Sequence, residues 1–260
     1  MKRIGDIPGL PPLIACIGLL VFWDLLARHF NISGLPPPWE ALREVPGILA
    51  DPEQLLNILS SIRRMVIGFV AALAFAVPVG LLMGRSRAVA AFFNPLLMMI
   101  YPVPKAALMP IIMLWLGVGD VSKILVIFLG VSLPVIYHSY QGARAVEEKM
   151  VWSAAAMGMG APARLVRIVL PAALPEIMVG CRTGLVLALI TMVTSEMIAR
   201  QTGVGNILFN SLDMAQYGLV YATIVIIGVM GFLLDLLFEN LREAVAGWAQ
   251  PAHQIAVGSA

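Results

Sequence analysis

Residues 65–83 read MVIGFVAALAFAVPVGLLM, a run without one charged side chain. A helix needs about 20 apolar residues to cross a hydrocarbon core of about 30 Å, so this stretch has the length and chemistry of a membrane span. Its surroundings are built alike: charge-free stretches also occupy 8–23, 88–104, 106–119, 124–143, 183–195 and 214–234. Across the chain 60% of residues are hydrophobic and only 12% charged, with a mean hydropathy of +0.91. Soluble domains carry about 25% charged residues to cover their surface, so an ordinary soluble protein is excluded. The net charge of +2 is too small to mark a nucleic-acid binder.

Several stretches are too short to cross alone. Merging 88–119 around Lys105, and extending 183–195 back through Arg182, leaves six spans and an all-α chain. A straight helix over 88–119 would be about 48 Å long, so it has to bend. YPVPKAALMP at 101–110 supplies Pro102, Pro104 and Pro110 for a break followed by a second short helix. The first span carries a basic start and an apolar run but no small-x-small cleavage site before Asp24, which predicts a retained signal-anchor helix.

Six spans put both termini on one side of the membrane. Lys2, Arg3, Arg85, Arg87, Arg144, Lys149, Arg164, Arg167 and Arg242 all fall on that side, which the positive-inside rule assigns to the cytoplasm. The opposite loops are acidic or nearly neutral. Arg63 and Arg64 are the exception, since they open the second span from the outer side; they read as an interfacial cap or as snorkelling side chains.

The largest cytoplasmic piece is 144–174. Within it 152–175 reads WSAAAMGMGAPARLVRIVLPAALP. Helix formers lead to Gly158 and Gly160, which allow a turn, and Pro162 suits the first turn of a second helix. Arg164 and Arg167 share one face of that helix, with Leu165, Ile168 and Val169 on another. Pro171 and Pro175 then close the piece and lead into the next span. An alanine-rich surface is a poor lipid anchor and a good socket for close helix packing, so this knob reads as a docking element for a protein partner. The chain contains no GxxxxGK[ST], HExxH or GxSxG pattern, and His29, His138 and His253 are far apart. Any coupling to ATP must therefore come from a partner, and no metal or cofactor is expected on this chain. Cys16 and Cys181 read as small buried hydrophobes, and the 15 methionines as packing residues.

The spacing Gly158, nine residues, Ile168, one residue, Leu170-Pro171 resembles the cytoplasmic EAA signature, EAA-x3-G-x9-I-x-LP, of ATP-binding-cassette (ABC) importer permeases. Trp152, Ser153 and Ala154 occupy its three leading positions, and only Ala154 matches. Trp152 stands where the family has glutamate. PVPKAALMPIIMLWLGVGDVSK at 102–123, VLPAALPEIMVGCRTGLVLALITMVTSEMIA at 169–199 and TGVGNIL at 202–208 are similar to the subgroup importing nitrate, sulfonates, taurine and bicarbonate. The resemblance implies the MetI-like ABC permease fold, with an N-terminal helix and outer loop over 1–58, a permease core over 59–242 holding the coupling loop 144–174, and a cytoplasmic tail over 243–260 expected to be disordered. It implies that Trp152, Ser153, Ala154, Met157, Gly158, Gly160, Arg164, Ile168 and Pro171 meet an ATPase subunit. It also implies two ATPase copies carrying ATP and Mg, an extracytoplasmic substrate-binding protein, a second permease copy in a homodimer, and a bacterial inner-membrane location with both termini cytoplasmic. The solute expected is small and anionic or sulfonate-like.

Within the spans, Lys105 either lines an aqueous path suited to an anion or reaches the outer interface. Thr191, Thr194 and Ser195 either line such a path or bond to carbonyls of their own helix, and Glu196 reads as a pore or outer-gate residue. Arg182 reads as an interfacial anchor, and Asp235 as a partner for Arg242. An ion-gradient-driven secondary transporter is the competing class. It requires buried carboxylates and two similar halves, neither of which the sequence displays clearly.

Overall fold

The computed structural model describes residues 10–248, and among these every regular element is helical. Helix α1 spans Leu10–Phe30, α2 Pro38–Ala50, α3 Pro52–Arg85, and α4 Arg87–Ile100. A 3-10 turn over Lys105–Leu108 leads into α5, Met109–Leu116. Then follow α6, Asp120–Ala145, α7, Glu148–Ala156, α8, Ala161–Arg164, a π-helical turn over Leu165–Val169, and α9, Leu170–Ala199. Helices α10, Val204–Asp213, and α11, Tyr217–Ala246, complete the fold. Five helices are long and apolar enough to cross a membrane, and the bent α4–α5 pair makes a sixth span.

The expected break in the third span is present: α4 and the segment ending in α5 meet at 84°. Lys105 sits in that bend, and its Nζ donates to Ile100 O at 2.5 Å and Val103 O at 2.6 Å. It thereby satisfies carbonyls that the interrupted helix leaves open, at the negative end of the α4 dipole.

Helices α3, α6 and α9 form the centre. The packing is close because small residues face their neighbours: a side chain at Gly80 would collide with Ser139 of α6, and one at Gly142 would press on Ala173 and Glu176 of α9. Met65, Ala72, Ile127, Val131, Val135, Ala188 and Met192 fill the layer between them. The outer faces of α1, α3 and α11 expose Ile17, Leu20, Val66, Val70, Phe232 and Leu237, which suits contact with acyl chains. Cys181 is buried as expected, whereas Cys16 lies on the exposed face of α1.

Four sequence expectations need correction. The knob's second helix is not separate from the next span, because α8, the π turn and α9 run on without interruption from Ala161 to Ala199. Pro171 lacks the N–H for an ordinary helical bond. The π turn just before it, where Leu170 N–H reaches back to Leu165 O, absorbs the change in pattern. Pro175 lies inside α9 without ending it. Helix α3 begins at Pro52, with Asp51 accepting from Glu53 N–H at 2.9 Å as its cap, so it runs through the boundary expected at 58. Helix α11 continues to Ala246, so the first residues of the expected tail are helical; residues 249–260 lie outside the described residues. Asp235 pairs with Arg182 of α9 rather than with Arg242, through bonds of 2.9 and 2.8 Å. Arg242 lies about two turns from Asp235 and turns back one turn to Glu239 instead.

Candidate functional site

The 144–174 segment forms a projecting corner at one end of the bundle. Val146 is buried, and Arg85 reaches toward Ala143 O and Val146 O from the end of α3, covering carbonyls at the C-terminus of α6. Helix α7 then turns its Val151 and Ala154 side inward; Ala154 is only 2% exposed. The opposite side presents Trp152, 63% exposed, with Ser153 beside it, and Met157, 79% exposed, follows the helix end.

The turn itself has a specific cause. Gly158 N–H donates to Ala155 O at 2.9 Å and Met159 N–H to Ala154 O at 3.0 Å, the paired bonds of a Schellman cap. That cap requires its glycine in the left-handed region, and Gly158 has φ of +83°. Gly160 needs no such freedom: it is extended at φ −66° and ψ 158°, and its carbonyl receives Arg164 N–H as α8 begins. Val169 is buried, Arg164, Leu165 and Ile168 are half-buried, and Val166 and Arg167 are exposed, so the expected division into a basic and an apolar face holds only in part. Pro171 is exposed at the start of α9. Of the three leading signature positions, the one that matches, Ala154, packs inward, and the two that depart, Trp152 and Ser153, face outward.

At the other end of the bundle lies a buried ionic cluster that sequence reasoning did not assemble. Glu196 is fully buried, and its carboxylate accepts from Arg64 Nη1 at 2.8 Å, from Ser61 Oγ at 2.8 Å and from Gly205 N–H at 3.1 Å. Arg64, 3% exposed, also donates through Nε to Asp120 Oδ1 at 2.7 Å and through Nη2 to Thr202 Oγ1 at 2.6 Å. Thr202 O receives Arg64 Nη1 and Lys123 Nζ, each at 3.1 Å. Ser61 Oγ accepts Val204 N–H at 2.9 Å, and Asn57 Oδ1 accepts Gly203 N–H at 2.8 Å. Gly203 has φ of +116°, and its Cα lies so close to the Glu196 carboxylate that no Cβ fits. Helices α3, α6 and α9, the α9–α10 link and the start of α10 are thus tied at one point.

Arg64 is therefore neither a snorkelling nor an interfacial side chain, while Arg63, more exposed, pairs with Asp120. Glu196 faces protein groups rather than a passage. Thr191 donates to Leu187 O at 2.7 Å and Ser195 to Met192 O at 2.8 Å; both are buried. Thr194 bonds Ile190 O at 2.8 Å and keeps part of its surface open. The available signal was the charge-rule exception: arginines that open one span, set against a carboxylate that closes another at the same depth. Lys123 gave less signal, since it read as the edge of a neutral loop.

Residues 76–247 match the family described as "Binding-protein-dependent transport system inner membrane component". The taurine transport system permease protein TauC of Escherichia coli K12 is 32% identical over 238 residues, covering 88% of this chain and 86% of that protein. The nitrate import permease protein NrtB of Synechocystis is 26% identical over 252 residues, covering 94% and 90%. A Bacillus subtilis 168 protein named for aliphatic sulfonate transport, SsuC, is 29% identical over 249 residues, covering 95% and 89%. The chain belongs to the family of binding-protein-dependent transport system inner membrane components, the permease subunits of ABC importers. Such a subunit is a transport component of the inner membrane that works with an ABC ATPase and a substrate-binding protein.

Proposed function

We propose that the chain carries a small anionic or sulfonate-like solute into the cytoplasm, as one half of a permease homodimer driven by two ATPase subunits. ATP and Mg reside on those subunits. The observation that carries this reading is the α7 corner: a capped, rigid turn presenting Trp152 and Met157 outward on the most basic end of the molecule. The positive residues at that end support a cytoplasmic placement for the corner and for both termini. The names of the relatives support the solute class.

Coupling follows from rigidity. Closure of the ATPase pair on ATP moves the corner, and because α8 and α9 are one continuous helix, the movement passes along α9 to the opposite end of the bundle. Ser153, Ala155 and Ala156 allow close approach of a partner, with Trp152 and Met157 as apolar contacts and Arg164 and Arg167 as charged ones. Lys105 at the bend and Thr194 on α9 are the polar groups we assign to the solute path. Reconstitution with the ATPase and binding protein tests the whole reading. Solute-stimulated ATP hydrolysis is expected with small sulfonates or anions, and uptake that persists without any ATPase overturns it. In the same system Lys105→Ala is expected to raise the solute concentration for half-maximal uptake, and unchanged uptake removes Lys105 from the path.

A further inference from the structure

Between α2, the start of α3, and α10 with the start of α11 lies a cavity of about 300 Å³, at the end of the bundle away from the α7 corner. Its polar wall combines two carboxylates with the amides of Asn57, Asn210 and Gln216 and the Ser211 hydroxyl, which can donate or accept. Asp51 and Glu53 line it, as do Gln54 and Asn206, whose side-chain oxygens are buried and have no hydrogen-bond partner among the described residues. Asn206 is 7% exposed, and its orientation is fixed because Nδ2 donates to Gln201 O at 3.1 Å, which leaves Oδ1 unpartnered. Buried acceptors in folded proteins are almost always satisfied, so two on one cavity call for a donor.

The charges around the cavity narrow the choice. No lysine or arginine lines it. Arg64 and Lys123 are turned into the Thr202 cluster, and Arg200 is held by Asp213 at 3.1 Å and lies over the Phe209 ring. An anion entering here would meet the carboxylates of Asp51 and Glu53 with no cationic side chain in the lining to offset them. A hard divalent cation needs six or more oxygen ligands, and among the described residues no grouping of metal-binding side chains forms. The lining also includes Ile48 and Leu219, which suit an aliphatic segment. An ammonium group supplies three donors and a positive charge, whereas an alcohol supplies a single donor.

We propose that this cavity binds a primary ammonium group carried on a short aliphatic stem. Glu53 supplies the opposing charge, Gln54 Oε1 and Asn206 Oδ1 accept from the ammonium, and Ile48 and Leu219 cover the stem. The full chain in lipid nanodiscs, titrated calorimetrically with n-butylammonium, butan-1-ol and butyrate against empty nanodiscs, tests it. Saturable binding of n-butylammonium is expected, at least tenfold tighter than butan-1-ol, with no binding of butyrate. Glu53→Gln, on an exposed side chain that the fold does not need, and Gln54→Leu are each expected to weaken it at least fivefold. The proposal is overturned if n-butylammonium gives only the heat of empty nanodiscs, if butan-1-ol or butyrate binds equally, or if either substitution leaves wild-type affinity. The titration uses neither ATP nor an ATPase, so its failure and the failure of the importer reading are separate results.

Discussion

Glu196 and Arg64 show how much a single pair decides. Two charges buried together depend on each other, and removing one partner leaves the other stranded at a cost of about 3–5 kcal/mol. Glu196→Gln is expected to lower the thermal unfolding midpoint sharply in detergent, and Arg64→Met likewise, while the double variant recovers part of the loss; additive losses would show that the pair is not coupled. Gly158 makes a smaller and more local claim. Its left-handed backbone costs a non-glycine residue about 1–2 kcal/mol, so Gly158→Ala is expected to loosen the corner and lower ATPase-coupled uptake while leaving the unfolding midpoint within a few degrees. The two residues were unequally legible. Gly158 belongs to a motif contained within residues 152–171, whereas Arg64 and Glu196 are 132 residues apart and only their shared depth hints at a pairing.

At the scale of elements, hydropathy marked the spans and prolines marked the bend between α4 and α5, because both signals are local. The continuity of α8 into α9 was not legible, since Pro171 and Pro175 are ordinary helix breakers, yet the π turn accommodates Pro171 and α9 runs on through Pro175. The α7 helix carries its own prediction. On the docking proposed above, Trp152 offers an indole at the signature position written as glutamate, so the ATPase surface it meets is expected to be apolar at that point. Trp152→Glu is expected to reduce ATPase copurification and solute-stimulated hydrolysis, and Trp152→Phe to retain most of both. Equal behaviour of the two variants would remove the indole from the interface. The α3–α6 contact is as demanding: Gly80→Val inserts atoms where Ser139 and the Ile136 carbonyl already sit, an overpacking of at least about 1–3 kcal/mol, and is expected to lower the yield of folded protein in size-exclusion profiles.

For the molecule as a whole, orientation rests on the distribution of basic residues. Ser153 lies on the exposed face of the corner, and Ser33 in the α1–α2 link at the opposite end. In a chain with its two cysteines replaced by alanine, Ser153→Cys is expected to react with a membrane-impermeant maleimide only in inside-out vesicles, and Ser33→Cys only in intact cells. The reverse pattern would invert the topology. The ion-gradient class also changes standing at this scale. A buried carboxylate does exist in Glu196, but Arg64, Ser61 and Gly205 hold it as a structural tie between helices.

The Glu196 cluster also bears on how the protein is made. The ribosome delivers Arg64 and Asp120 long before Glu196 and the Thr202 carbonyl, so a partly synthesised chain holds a guanidinium at membrane depth with a single acidic partner. Helix α9 cannot be a late ornament on a finished bundle; its arrival completes the site that neutralises what came earlier.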